Sequence, residues 1–542
     1  MAFMVSLNFF PLVDFSSLST VPTPRDPRPG RFVHHLDFNH FRTIGMRRSV
    51  EESVNSRFVT GDRVQAVLKV FLSSLLLEQL MSLLTLLQEM PNLIAFGATE
   101  YMDGALTLPV LDELFLRGAS SSRRGRPTRG RALIECHDIE EEDRERRGEC
   151  KDLEAVDLTG CVSAIFVNAF SEFVNTHLVH PGGMDSSNDE EDVRRPRRVE
   201  RSALYEPLLF PGLRRLGMRG VKVILPKYLG PFLLAFPCLT HLDLSGTRIT
   251  PDILKSLGAS STLRLKSLAL ARCIKLTSEG IKWFLVHSPV TSELTELNLY
   301  GDMTYVSPII EEDLREIVTL APCFLSGELV YLDVSSAPIT SELLEVVRPQ
   351  PKLRSLGLSH IPNLHLKAVT AFIKNKAPKV EILTAINTSP ELDCGLRLTS
   401  DPTRNPSAAL HTQLIRPLCL PPFPFSLNPL PSDAKAPASN LRVIELSMAL
   451  LAGLGAGAGS WRIIRSKGGR GWYVDTASGW TTETGSGERS VLRRDFPADH
   501  PFRVELERLS NANGNVSSGV GWHARKMEVL ILSPPHHLQN QY

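Results

Sequence analysis

A six-residue pattern, apolar-x-x-apolar-x-apolar, recurs along most of this chain and leaves few folds open. It stands at Val33/Leu36/Phe38, Leu111/Leu114/Leu116, Leu153/Val156/Leu158 and Leu213/Leu216/Met218. It continues at Leu239/Leu242/Leu244, Leu265/Leu268/Leu270, Leu294/Leu297/Leu299, Leu329/Leu332/Val334 and Leu353/Leu356/Leu358. Degenerate copies follow at Val380/Leu383/Ala385, Leu441/Ile444/Leu446 and Met527/Leu530/Leu532. From Leu213 the steps are 26, 26, 29, 35, 24 and 27 residues. The last two apolar positions alternate, as a short strand with one buried face requires. Such a strand is too short to stand alone, and stacking copies in parallel buries one continuous core. The fold class is therefore α/β: a leucine-rich-repeat solenoid, strands on the concave face and helices on the convex face.

The rest of each repeat agrees. SGTRITPDILKSL follows Leu244, with Thr250 as the expected N-cap and Pro251 at the first helical position. SSAPITSELLEVV repeats the plan after Val334. A proline often precedes the strand, as at Pro91, Pro211, Pro237, Pro351 and Pro378, and ends the preceding helix. Residues 1–30 read as an irregular segment, and 31–117 as N-terminal repeats with an inserted apolar helix over 70–88. Residues 118–150 and 181–204 read as charged disordered loops flanking one repeat at 151–180. Residues 205–387 form the regular array, 388–440 a Pro/Ser-rich linker, and 441–542 the last repeats and a Trp-rich cap. Four of the five tryptophans, Trp461, Trp472, Trp480 and Trp522, fall there.

Charge and motifs narrow the function. The chain has 60 Lys+Arg against 59 Asp+Glu, so no overall basic field draws nucleic acid or an anionic membrane. Its eight cysteines form no C-x-x-C pair, which suits reduced thiols in the cytoplasm or nucleus. GLGAGAGS at 453–460 lacks the Lys-Ser/Thr of a phosphate loop. No catalytic set, metal set or cofactor motif stands out. A monomeric, non-catalytic protein-binding scaffold is expected. Two alternatives remain: an activity in the Trp/Gly-rich C-terminal element around Trp472 and His523, or a receptor tethered through residues 70–87. The latter run carries Glu78 and Gln79 near its centre, which is costly in lipid.

Side chains between the core leucines face the concave side. That row offers Arg215, Arg219, His241, Asp243, Glu296, Asn298, Tyr300, Tyr331 and Asp333 to a protein or peptide, with the two tyrosines as rigid anchors.

LTHLDLSGTRIT, LKSLALARCIKLTSEGI and LVYLDVSSAPIT resemble the cysteine-containing repeats of the F-box/LRR family, and the chain from about residue 31 to 530 looks like a fungal member. That resemblance implies substrate recruitment to a cullin-type ubiquitin ligase, with a cullin adaptor as partner where an F-box is present. Residues 1–30 show no F-box-like helices.

Overall fold

The computed structural model describes residues 35–37, 83–98, 103–118, 134–179, 208–394, 405–420, 437–465, 471–478, 481–484 and 490–493. Eleven three-residue strands lie parallel in chain order. They are His35–Asp37 (β1), Ala95–Gly97 (β2), Ala155–Asp157 (β3), Arg215–Gly217 (β4), His241–Asp243 (β5), Ser267–Ala269 (β6), Glu296–Asn298 (β7), Tyr331–Asp333 (β8), Ser355–Gly357 (β9), Ile382–Thr384 (β10) and Val443–Glu445 (β11). Two antiparallel strands, Trp461–Arg465 (β12) and Gly471–Asp475 (β13), finish a thirteen-stranded sheet, with β13 against β11. The hairpin covers the last parallel edge, which would otherwise present unpaired backbone groups. A separate pair, Thr481–Thr484 (β14) and Ser490–Arg493 (β15), follows. The chain folds as a leucine-rich-repeat solenoid.

The leucines set the register. Leu216, Leu242, Leu268, Leu297, Leu332, Leu356 and Leu383 pair in succession, each at the centre of its strand. All are buried in one hydrophobic cluster. Each contributes roughly 2 kcal/mol by leaving water, but only because its neighbours on both sides are present. In the N-terminal part phenylalanine takes over between helices. Phe115, Phe170, Phe173, Phe210, Phe232 and Phe236 pack ring to ring, with Phe170 and Phe232 centroids 4.6 Å apart.

Several expectations need correction. Leu111, Leu114 and Leu116 are not a strand; Leu108–Phe115 is a helix whose buried face is Val110, Leu111, Leu114 and Phe115. The pattern fits a helical stripe as well as a strand, and Pro109 sits where a helix begins. The strand of that repeat is β2, so β1 to β4 begin at residues 35, 95, 155 and 215, an even 60 apart. The stretch 118–150, expected as a disordered loop, contains a helix at Ile134–Glu149. Arg146 reaches fully buried Glu113 through two bonds of 2.7 and 3.1 Å, and Asp143 at 2.7 Å. Arg147 adds Glu113 at 3.4 Å and Asp143 at 2.9 Å. The guanidiniums compensate a carboxylate that burial would otherwise penalise.

The expected linker 388–440 holds the helix of its own repeat. Pro406–Ala409, a π-turn at Leu410–Ile415, and Arg416–Cys419 run on from one another. Leu410, Leu414 and Leu418 are buried at a four-residue spacing. Pro417 has no N–H to donate and its ring crowds the carbonyl of Gln413. That carbonyl instead accepts from the Thr370 hydroxyl at 2.6 Å. Thr250 occupies the N-cap position but makes no side-chain cap, whereas Thr277 and Thr340 accept from Gly280 and Leu343 amides. Of the inserted run 70–88 only the helix Leu83–Gln88 is described, and no helix among the described residues is long and apolar enough to cross a membrane. The first 30 residues, 181–204, His523 and the Met527 copy lie outside the described residues.

Candidate functional site

Pairing register draws two rows across the face of the sheet away from the leucines. One runs Arg215, His241, Ser267, Glu296, Tyr331, Ser355. The other runs Asp157, Gly217, Asp243, Ala269, Asn298, Asp333, Gly357. Of the nine residues expected to meet a partner, Arg215, His241, Asp243, Asn298, Tyr331 and Asp333 are buried. Glu296 and Tyr300 are half-buried and Arg219 is exposed.

The buried carboxylates have an internal task. Asp243 Oδ1 accepts from the Ser245 amide at 2.9 Å, and Asp333 Oδ1 from the Ser335 amide at 3.0 Å. Asn298 Oδ1 accepts from Tyr300 at 3.1 Å, and Asp157 Oδ1 takes both the amide and the hydroxyl of Thr159. These turns satisfy a backbone N–H just past the strand end. The carboxylate also leans over a glycine of the next strand. A Cβ on Gly357 would lie 2.3 Å from the Asp333 carboxyl carbon, and one on Gly217 would lie 2.6 Å from Asp157 Oδ1. From β8 on, this face also carries apolar side chains: Tyr331, Ile382, Val443, Ile464, Trp472 and Val474 form a second buried cluster. Tyr331 and Trp472 are thus packing residues in the described structure.

The accessible chemistry lies at the rim where the chain leaves the strands. Three residues past β3 to β6 and β8 to β10 a left-handed residue turns the chain. It is Gly160, Gly220 and Gly246 in three repeats, but Arg272, Ser336, His360 and Asn387 in others. A non-glycine residue there costs about 1–2 kcal/mol. Arg272 Nη2 pairs with Asp302 Oδ2 at 2.5 Å, and its guanidinium stands 5.2 Å from the Tyr300 ring centre. His360 meets the same ring edge-on at 6.4 Å. Burial raises the Tyr300 phenol and lowers the His360 imidazole below their ordinary values. Burial would raise Asp302, but the Tyr305 and Thr304 amides and Arg272 outweigh it, leaving its carboxyl below the usual range.

Asp302 opens an extra loop after β7. Its Oδ1 accepts from the Thr304 and Tyr305 amides at 2.8 and 2.7 Å. The Ser307 amide bonds Ser336 Oγ, and the Ile310 amide bonds Ser278 Oγ, so both neighbouring repeats hold the loop. A hollow of about 250 Å³ opens beneath it, floored by Leu270, Cys273, Ile281, Leu299 and Ile309. Ile274, Tyr305 and Val306 stand at its mouth. None of Arg272, Asp302, His360, Ile274, Tyr305 or Val306 was singled out from sequence. The available signal was the 35-residue step between Leu294 and Leu329, the longest in the regular array.

Reactive groups are scarce. Burial pushes the thiols of Cys273, Cys323 and Cys419 up to about 12, far from a nucleophile's range. Cys273 donates to the Leu244 carbonyl at 3.1 Å, which is what its place in the repeat does. Among the described residues no group of three or more His, Cys, Asp or Glu could hold a metal ion.

No protein-family model matches the chain, and no curated protein matches it. Among solved structures, the crystal structure of the Rad7–Elc1 complex from yeast matches with TM-score 0.33 and 14% identity, covering 67% of this chain and 90% of that chain.

Proposed function

We propose that this chain is a non-catalytic scaffold that holds another protein or peptide. The supporting observation is the run of eleven parallel strands, which stacks the same strand and the same turn from repeat to repeat. Such a surface suits an extended partner rather than a small substrate. Within the expected row, docking falls to the accessible residues Arg219, Glu296 and Tyr300. A finer proposal, substrate recruitment to a cullin-type ubiquitin ligase in the cytoplasm or nucleus, is supported by the resemblance of LTHLDLSGTRIT and its companion repeats to the F-box/LRR family.

Proximity labelling with the full chain, followed by binding of the purified candidate to purified protein, tests the scaffold. A stoichiometric complex with one protein is expected. Failure of every labelled protein to bind directly would remove it. Co-purification of a cullin adaptor tests the ligase role separately, and its absence leaves a plain scaffold.

A further inference from the structure

Within that scaffold role, we propose that the rim of repeats β4 to β7 is the docking surface, and that its occupant is an acidic segment of a partner protein carrying one apolar anchor residue. Two independent features meet there. The first is apolar. The three most exposed large hydrophobic side chains among the described residues are Met303 at 73%, Val306 at 65% and Ile274 at 64%. All three belong to the loop after β7 or the turn facing it, with half-exposed Tyr305 and Ile310 beside them. Ile274, Tyr305 and Val306 line the 250 Å³ hollow, whose floor is the solenoid core itself. That volume is below the usual small-molecule range of roughly 300–1,000 Å³ and suits a single side chain. The loop is pinned at Asp302, Ser307 and Ile310, so the hollow is formed before a partner arrives.

The second feature is charge. Successive turns present Arg219 and Lys222, then Arg248, then Arg272 and Lys275, all exposed. Their backbones form a ladder, with Gly220 donating to Ser245, Gly246 to Ala271 and Arg272 to Tyr300. The turns that carry these cations therefore stack at about strand spacing, roughly 5 Å per repeat. Only Arg272 has a carboxylate partner among the described residues, Asp302. The nearest acids in sequence, Asp252 and Glu279, sit in the first turns of the following helices, where they oppose the helix dipole. A cationic line ending at an apolar hollow complements a peptide with carboxylates along its length and one apolar side chain at its end. A nucleic acid has no use for the hollow.

The probes are two fluorescein-labelled nonapeptides, eight glutamates followed by a single terminal Leu or Gly, read by anisotropy against the full chain. Burying one Leu is worth about 1.5–3 kcal/mol, so the Leu peptide should bind at least about tenfold tighter. Val306→Asp, at an exposed position, should erase that preference while leaving the circular dichroism and Tm unchanged. Lys222→Glu/Arg248→Glu should weaken both peptides and flatten their salt dependence. No saturable binding, an equal Kd for Leu and Gly, or displacement by duplex DNA in preference to the peptides would each overturn the proposal. If the partner found by proximity labelling binds Val306→Asp and Lys222→Glu/Arg248→Glu undiminished, the scaffold stands and this rim is not its docking surface.

Discussion

The row across the sheet and the rim beside it are built from the same repeats, a few residues apart in each. In the row, Asp243, Asn298 and Asp333 look like ligands waiting for a partner, yet each holds an amide two residues on. At the rim, Arg219, Lys222 and Arg248 are exposed, with no carboxylate partner among the described residues. The contrast has a physical source. A three-residue strand leaves backbone groups unpaired at its end, and a short Asp or Asn side chain at its last position is the nearest acceptor. The rim turns are closed by backbone bonds from one repeat to the next, so their side chains are free to vary. Polar residues at solenoid strand ends are therefore poor evidence of binding, and turn residues that depart from glycine are better evidence.

The sharpest way to break this contrast is to disturb the row. Gly357→Val places atoms inside the van der Waals reach of the Asp333 carboxylate and displaces it from the Ser335 amide. Overpacking and a buried unsatisfied amide together cost roughly 3 kcal/mol or more. Asp333→Ala removes only the acceptor and should cost about 1–3 kcal/mol. The pair should also couple. Gly357→Ala in the Asp333→Ala background should be milder than in the native chain, because its clash is with the missing carboxylate. Urea unfolding of the four proteins gives the cycle, and strict additivity would show that Asp333 does not lean on Gly357 as described.

The array from β4 to β10 was legible because leucine spacing encodes it directly. The errors came where two periodicities share one pattern. Leu111, Leu114 and Leu116 satisfy a strand template and a helical stripe alike, and β2 sixteen residues upstream, starting at Ala95, already fills the strand. Leu410, Leu414 and Leu418 were hidden by Pro406 and Pro417, although one proline begins the helix and the other only widens a turn. Charge hid the helix at Ile134–Glu149, whose i,i+3 and i,i+4 pairs were readable but whose partner Glu113 was not. Strand pairing puts Asp243 and Asp333 in one line, and their inward bonds depend on turn geometry that the leucine spacing does not encode. Of the rim, only Arg219 and Tyr300 were legible as side chains. The rim itself rests on left-handed backbone at Arg272 and on a loop known only by its excess length.

A rim residue should tolerate a change that a row residue does not. Arg272→Gly relieves a left-handed arginine worth about 1–2 kcal/mol. It loses an exposed ion pair and a cation–π contact of about 0.5–1 kcal/mol each. The balance should lie within about 1 kcal/mol of the native chain, while affinity for the acidic nonapeptide falls several-fold. A destabilisation as large as that of Asp333→Ala would place Arg272 with the structural row and remove the distinction.

The smallest effect separates the rim by pH. His360 sits against Tyr300 with Asp302 and Asp333 drawing its imidazole toward the charged form, and with burial and Arg272 opposing them. Burial dominates, so the folded value lies below the ordinary 6.5. The folded chain then holds fewer protons than the unfolded chain in the window between the two values. The stability this contributes is present above the ordinary value and is lost as pH falls through the folded one. His360→Asn keeps a residue that tolerates the left-handed turn, where φ is 61°. Tm measured from about pH 7.5 down to about pH 5 should therefore fall more steeply in the native chain than in His360→Asn. Parallel curves would mean that His360 is as solvated as the free side chain. The cluster around Tyr300 would then be more open than its contacts with Arg272 and His360 make it.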